Sequence, residues 1–207
     1  MKIKVCGITN FDQLRELDLL AIDFAGLIFY EKSKRFVGDK LNNHQSAIKN
    51  FGIKKVGVFV NVDKAAIKAA VDNFGLSYVQ LHGNESPEFC KEIRQFIPVI
   101  KAIQVDMDTR LDEKLESYHN ACDYFLFDTA SKQYGGSGLQ FDWNKLASVQ
   151  INKPFFLSGG LGPEDVEKIK MFRHPDLFAV DINSRFETSP GIKNMQLVKS
   201  FVQEIKR

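Results

Sequence analysis

Residues 54–81 read KKVGVFVNVDKAAIKAAVDNFGLSYVQL, and this stretch decides the fold. From Lys54 to Val60 it is β-branched and aromatic with almost no polar interruption, the pattern of a strand covered on both faces. Asp63 then offers a carboxylate to the first amides of a helix, and Ile67, Ala70, Val71 and Phe74 recur at i, i+3, i+4 and i+7. Gly75 occupies the stop position, where left-handed backbone angles are favoured. A second apolar run, Ser77 to Leu81, follows directly. Two strands joined through a helix in this way lie parallel.

The same unit recurs along the chain. IKVC, FAGLIFY, KKVGVFV, SYVQL, PVIKAIQV, DYFLFD, PFFLS and LFAVD make eight strand-like runs, separated by stretches with helical spacing. Ser86-Pro87 opens one helix, a cap followed by proline at the first helical position, and predicts Phe89, Ile93 and Phe96 on its buried face. Gly162-Pro163 leads into Val166 and Ile169, and Met195, Val198, Phe201 and Ile205 share one side of the last helix. A further helix is expected from about Ser46 to Phe51. Eight units in 207 residues average about 26 each, close to the minimum for a strand with its crossover helix.

A doubly wound open sheet and a closed barrel both satisfy this alternation. The open sheet of the dinucleotide-binding type requires G-x-G-x-x-G after the first strand, where this chain has C-G-I-T, and no G-x-x-x-x-G-K-[ST] occurs. Eight strands are the number at which closure removes both edges. The prediction is an α/β fold, a (β/α)8 or TIM barrel, with residues 1–207 as one catalytic domain.

Composition narrows the function. Lys and Arg total 28 against 26 for Asp and Glu, a net charge of +2 without a basic stripe, so nucleic acid is not an expected partner. Cys6, Cys90 and Cys122 are widely spaced with no C-x-x-C pair, which excludes a disulfide framework and a zinc knuckle and fits a reducing compartment. The start reaches Gly7 before any apolar core of a signal peptide develops, and LLAIDFAGLIFY is broken by Asp23 and shorter than the ~20 residues of a membrane span. The expectation is a cytoplasmic protein with no membrane partner and, lacking an evident apolar patch, a monomer.

In a (β/α)8 barrel the reacting groups stand where strands end and helices have not begun. Polar residues at those exits are Cys6, Arg35, Asn61, His82, Gln104, Asp128, Ser158 with Gly159-Gly160, and Asp181 with Asn183-Ser184. Cys6 reads either as a small buried filler or as an acid-base group on the same rim as a carboxylate, an arginine and a histidine. An electropositive rim would lower its thiol. Asp128 follows the apolar run YFLF, where partial burial would favour its protonated form.

SGGLGPED and DINSRFETSPG offer glycine amides and the donors of Asn183 and Ser184 at the exits of strands 7 and 8, where barrel enzymes frequently bind phosphate. The plain alternative is that those glycines only make tight turns. Arg35 can grip a carboxylate in bidentate fashion, and His82 can orient a ligand or bond within the rim. GGSGLQFDW, Gly135 to Trp143, reads as a loop able to fold over a substrate or as a surface connection. His44, His119 and His174 lack partners at metal-ligand spacing, and no metal site is expected. Cys90 and Cys122 read as packing residues.

Taken in order, K-V-C-G-I-T, S-K-R at Ser33 to Arg35, V-Q-L-H-G at Val79 to Gly83, F-D at Phe127-Asp128, GGSGLQFDW, LSGGL and D-I-N-S-R-F-E-T-S-P-G resemble the phosphoribosylanthranilate isomerases of tryptophan biosynthesis. The resemblance runs from Lys4 to Gly191. It implies a cofactor-free barrel that takes one small phosphorylated substrate through an Amadori rearrangement. By the same resemblance Cys6 matches the general base, Asp128 the general acid and Arg35 the arginine that meets the anthranilate carboxylate. Gly160, Asn183 and Ser184 fall in the phosphate loops. Two departures stand out: Asn183, Arg185 and Phe186 replace the family's usual Ser, Gly and Val after strand 8, and Lys34 replaces a proline beside Arg35. Read from residues alone, an isomerase of another aminated ribose phosphate and a non-catalytic sugar-phosphate binder remain alternatives.

Overall fold

The computed structural model describes residues 1–106, 109–129, 140–147 and 149–207. Strands β1 (Lys2–Val5), β2 (Phe24–Ile28), β3 (Lys54–Phe59), β4 (Tyr78–Leu81), β5 (Val99–Val105), β6 (Tyr124–Thr129), β7 (Phe155–Leu157) and β8 (Leu177–Ile182) pair in parallel and in chain order. The ring is closed by β1 against β8, with Lys4 opposite Asp181 and Val5 opposite Ile182. Helices α1 (Phe11–Leu19), α2 (Gln45–Lys49), α3 (Lys64–Phe74), α4 (Pro87–Arg94), α5 (Leu111–Tyr118), α6 (Asn144–Ala147), α7 (Val166–Met171) and α8 (Met195–Lys206) alternate with the strands. This is the (β/α)8 barrel that the sequence predicts.

Local chemistry starts and stops the helices as expected. The side chains of Asn10, Asp63, Ser86 and Asn194 each accept a backbone N–H three residues on, and Gly75 takes φ +60° to end α3. Two readings need correction. The buried face of α4 carries Cys90 and Ile93 and is continued by Ile97, whereas Phe96 is 38% exposed: the helix ends at Arg94, and the helical spacing does not extend to Phe96. Residues 38–44 form a 3-10 helix leading into α2, so the predicted second helix is short and preceded by a tighter coil. A small hairpin, β9 (Glu187–Ser189) with β10 (Ile192–Lys193), follows β8 and was not foreseen.

Strand alternation sorts side chains onto two faces. Ile3, Val5, Leu27, Val79, Phe125, Phe127 and Val180 point outward and pack with Leu14, Ile67, Ile93, Leu115, Ile169 and Val198 of the helices. Phe24, Val56, Ile100, Leu126, Phe156 and Ala179 point inward, with Tyr78, Tyr124 and Phe178 against them. Their rings touch edge-on or tilted, centroids 5.0 to 5.8 Å apart for Tyr124–Phe178, Phe24–Phe156 and Tyr78–Tyr124, and they close the barrel at its N-terminal end. Two to four residues further along the strands, the same inward direction brings Lys4, Cys6, Gln80, His82, Asp128 and Asp181 toward the C-terminal mouth. Burying a large apolar side chain stabilises by about 1.5–3 kcal/mol, and the aromatic floor lets charged groups occupy the next layer.

Candidate active site

A single cavity at this mouth is lined by Cys6, Asp128 and Asp181, by Gln80 and His82, and by the turns carrying Ser158, Gly159, Gly160, Asn183 and Ser184. Tyr30, Ile28 and Val58 supply its apolar wall. Cys6 is 4% exposed but belongs to the lining rather than to the apolar packing behind the sheet. Space for its sulfur is made by the neighbouring strand, because a Cβ at Gly26 would stand 2.6 Å from Cys6 Sγ. Gly7, at φ +76°, turns the chain immediately afterwards and packs against Arg35 and Asn183.

Lys4 lies two residues below Cys6 on the same inward face. Its fully buried ammonium donates to Asp181 Oδ2 at 2.7 Å, and its charge acts on the neighbouring Cys6. Burial pulls Lys4 toward neutrality, but Asp181 and Cys6 outweigh this and leave it above its ordinary value, so the ammonium is retained. Burial pushes the Cys6 thiol up; Lys4 opposes this, Asp181 adds to it and Lys193 opposes it, and the net direction is up. The electropositive rim expected from the sequence is present, but desolvation exceeds it, and the expected lowering of the thiol is corrected accordingly. Burial likewise raises Asp181 against the opposing effect of Lys4.

Opposite this cluster, Asp128 is 8% exposed; its Oδ1 accepts the Thr129 N–H at 2.9 Å. Its Oδ2 stands 3.3 Å from His82 Nε2, within ion-pair distance but not aligned as a hydrogen bond. Gln80 Nε2 lies 2.8 Å from His82 Nδ1. With the amide donating there, a neutral imidazole carries its proton on Nε2, toward Asp128. The turn after β4 is held by Glu85, which accepts the N–H groups of Asn61 and Gly83 and pairs with buried Lys101 at 2.8 Å. Among the described residues, Gln80 Oε1, His82 Nε2 and Asp181 Oδ1 are buried without a hydrogen-bond partner, and all three face the same cavity. Buried unpaired atoms of this kind call for a polar ligand or water.

The remaining wall is a pair of turns. Gly159 and Gly160 take φ +93° and +65°, left-handed angles in the turn at the exit of β7, and both line the cavity. Gly159 packs against Thr129, closing β7 onto β6. After β8, Lys193 Nζ donates to the backbone and side-chain oxygens of Asn183 at 3.2 and 2.8 Å and to Glu187 Oε1 at 2.8 Å. This fixes the turn that carries Ser184.

Cys6, His82, Asp128, Gly159, Gly160, Asp181, Asn183 and Ser184 thus meet at one cavity, as the sequence reading grouped them. Arg35 is not in the lining: its Nε and Nη2 donate to Glu187 at 2.7 to 3.0 Å. Arg185 pairs with Glu164 instead of facing the cavity. Of the GGSGLQFDW segment, residues 135–139 lie outside the described residues. Lys4, Gln80, Glu187 and Lys193 were missed. Counting two residues back from each strand exit would have found Lys4 and Gln80, because alternate residues share a face. Among the described residues, no group of three His, Cys, Asp or Glu side chains is placed to hold a metal ion, and no helix is long and apolar enough to cross a membrane.

A closed parallel barrel whose C-terminal mouth joins ionisable groups to a glycine turn defines a class, the (β/α)8 enzymes that work on small anionic substrates. The family model described as N-(5'phosphoribosyl)anthranilate (PRA) isomerase matches residues 3–204, and the chain belongs to that family. A relative from Parabacteroides distasonis, N-(5'-phosphoribosyl)anthranilate isomerase, is 44% identical over 99% of this chain and 93% of its own. The solved phosphoribosyl anthranilate isomerase of Thermotoga maritima superposes with a TM-score of 0.86 at 35% identity, covering 100% of this chain and 98% of its own. A further solved isomerase, in complex with reduced 1-(o-carboxyphenylamino)-1-deoxyribulose 5-phosphate, matches with a TM-score of 0.83 at 32% identity, covering 100% of this chain and 98% of its own.

Proposed function

We propose that this chain catalyses the Amadori rearrangement of N-(5'-phosphoribosyl)anthranilate to 1-(2-carboxyphenylamino)-1-deoxyribulose 5-phosphate in tryptophan biosynthesis, with Asp128 as general acid and Cys6 as general base. The observation that carries the assignment of roles is that a thiol from β1 and a carboxyl from β6 line one cavity, beside a turn built for an anion.

Asp128 gives a proton to the furanose ring oxygen as the C1–O bond breaks, and the nitrogen lone pair forms C1=N. The iminium acidifies the C2 hydrogen, which leaves as a proton to the Cys6 sulfur. Its electron pair forms C1=C2. The resulting enaminol gains a proton at C1 and loses one from the C2 hydroxyl, giving the ketone. Base catalysis needs the thiolate, and Lys4 is the cation beside it. Gly160 and Ser184 hold the phosphate, while Asp181 Oδ1, buried and unpaired, accepts from a sugar hydroxyl. His82, whose buried Nε2 is unpaired, orients the substrate beside Asp128. Arg35, matched by the family resemblance to the anthranilate carboxylate, stands outside the lining with Nε and Nη2 held by Glu187, and meeting that carboxylate requires it to turn part of its guanidinium toward the cavity.

We further read residues 1–207 as one catalytic unit and a monomer in a reducing, cytoplasmic setting. The exposed large apolar side chains Met1, Leu19, Phe96, Met171, Ile192 and Leu197 come from six different segments of the chain, and the three cysteines are unpaired.

Mixing the protein with fresh phosphoribosylanthranilate and following anthranilate fluorescence tests the activity. Cys6→Ala and Asp128→Asn should each reduce kcat at least about 100-fold. Turnover near wild type in either variant removes that residue from the mechanism.

A further inference from the structure

Gln140 has no part in the chemistry above, yet its side chain is fully engaged against the phosphate turn. Its Nε2 donates to the Gly160 carbonyl at 3.1 Å and to Asp165 Oδ2 at 2.6 Å, while its Oε1 accepts from Lys168 Nζ at 2.8 Å. Asp165, itself 8% exposed, uses the same Oδ2 to accept the Gly162 N–H at 2.7 Å. Lys168 is steadied in turn over the Trp143 ring, 3.9 Å from its centroid. These contacts tie the chain leaving the sixth strand-helix connection to both ends of the Gly160–Gly162 turn.

We infer that Gln140 is a positioning residue for substrate phosphate: by pinning the Gly160 carbonyl it holds the glycine turn in its anion-binding form. The peptide unit is planar and its C=O and N–H point in opposite directions, so a carbonyl fixed against Gln140 aims the Leu161 N–H the other way. Gly160 and Leu161 both line the cavity. Glycine alone cannot hold such a conformation, because it moves readily between left- and right-handed regions. Gly160, at φ +65°, therefore needs an external partner to keep its amide groups convergent. The inference rests on the reading that this turn holds the substrate phosphate, and it adds a residue that acts on binding rather than on proton transfer.

The test uses the full-length enzyme with Gln140→Met, which keeps the length of the side chain without its hydrogen bonds, and Gln140→Glu, which keeps its shape. Inorganic phosphate serves as a competitive inhibitor. In both variants KM and the phosphate inhibition constant should rise together by about five- to tenfold, with kcat within about twofold of wild type. Glu should do no better than Met, because it cannot donate to Gly160 and brings a second carboxylate to Asp165. Unchanged phosphate inhibition in both variants, or wild-type behaviour of the Glu variant, would overturn the inference while leaving the phosphate site standing. A wild-type enzyme that phosphate does not inhibit competitively would remove the anion site itself, and this inference with it.

Discussion

Lys4 and Asp181 form a 2.7 Å ion pair directly beneath the Cys6 sulfur, and the lysine has no solvent exposure. Buried charges persist only when paired, and here the pair also sets the field felt by the thiol. Lys4→Met should raise the Cys6 thiol further, since Lys4 is the largest influence opposing desolvation. The check is the pH dependence of Cys6 alkylation by iodoacetamide. Should the single change fail to fold, Lys4→Met combined with Asp181→Asn is compared with Asp181→Asn alone, because Asp181 by itself raises the thiol. An unshifted midpoint in the folded variant would make Lys4 a purely structural cation.

Gly26 leaves the room that Cys6 occupies. A Cβ there would meet Cys6 Sγ at 2.6 Å and Cys6 Cα at 2.9 Å, and the backbone atom cannot swing aside. Gly26→Ala should destabilise by about 1–3 kcal/mol, measured by urea denaturation, and lower kcat at least about tenfold by displacing the sulfur. Full activity would show that the base tolerates a different position.

Glu187 joins Arg35 to Lys193 and so anchors the hairpin after β8. Burial would raise its carboxyl, but Arg35 and Lys193 outweigh that and hold it below the usual range. A carboxyl whose folded-state value is depressed stabilises the fold above its unfolded value near ~4.3, and that contribution disappears as pH falls through the folded value. Thermal midpoints measured from pH 6 down to about pH 3 should therefore fall less steeply in Glu187→Gln than in wild type.

At the alkaline end the sign reverses. Burial pushes Cys90 to about 11 and Cys122 to about 12. Unfolded thiols ionise near ~8.5, so the stability that comes from keeping these two neutral is intact below that pH and is lost as pH rises toward the folded values. The melting temperature should drop between pH 8 and 10.5, with a shallower slope in Cys122→Ala.

What the sequence disclosed and what it withheld divide by distance along the chain. Asp63, Ser86 and Gly75 act on amides a few residues away, and the eight apolar runs keep their alternation, so strands, caps and the grouping of Cys6, Asp128 and Gly159-Gly160 at strand exits were legible locally. The engagement of Arg35 by Glu187 spans 152 residues and that of Lys4 by Asp181 spans 177, and no local pattern encodes either. The thiol shift was misjudged for the same reason. Its sign depends on how completely neighbouring strands exclude water, and that is a property of the closed ring. Ser189-Pro190-Gly191 did carry a turn signal, but it was read for anion donors rather than for the hairpin it bends.

Closure of the ring by β1 against β8 makes the electrostatic setting of the thiol a property of the completed circle. The ammonium carried by β1 finds its counter-ion on β8, so an arrangement in which β8 has not docked leaves that cation unneutralised at the base of an open throat.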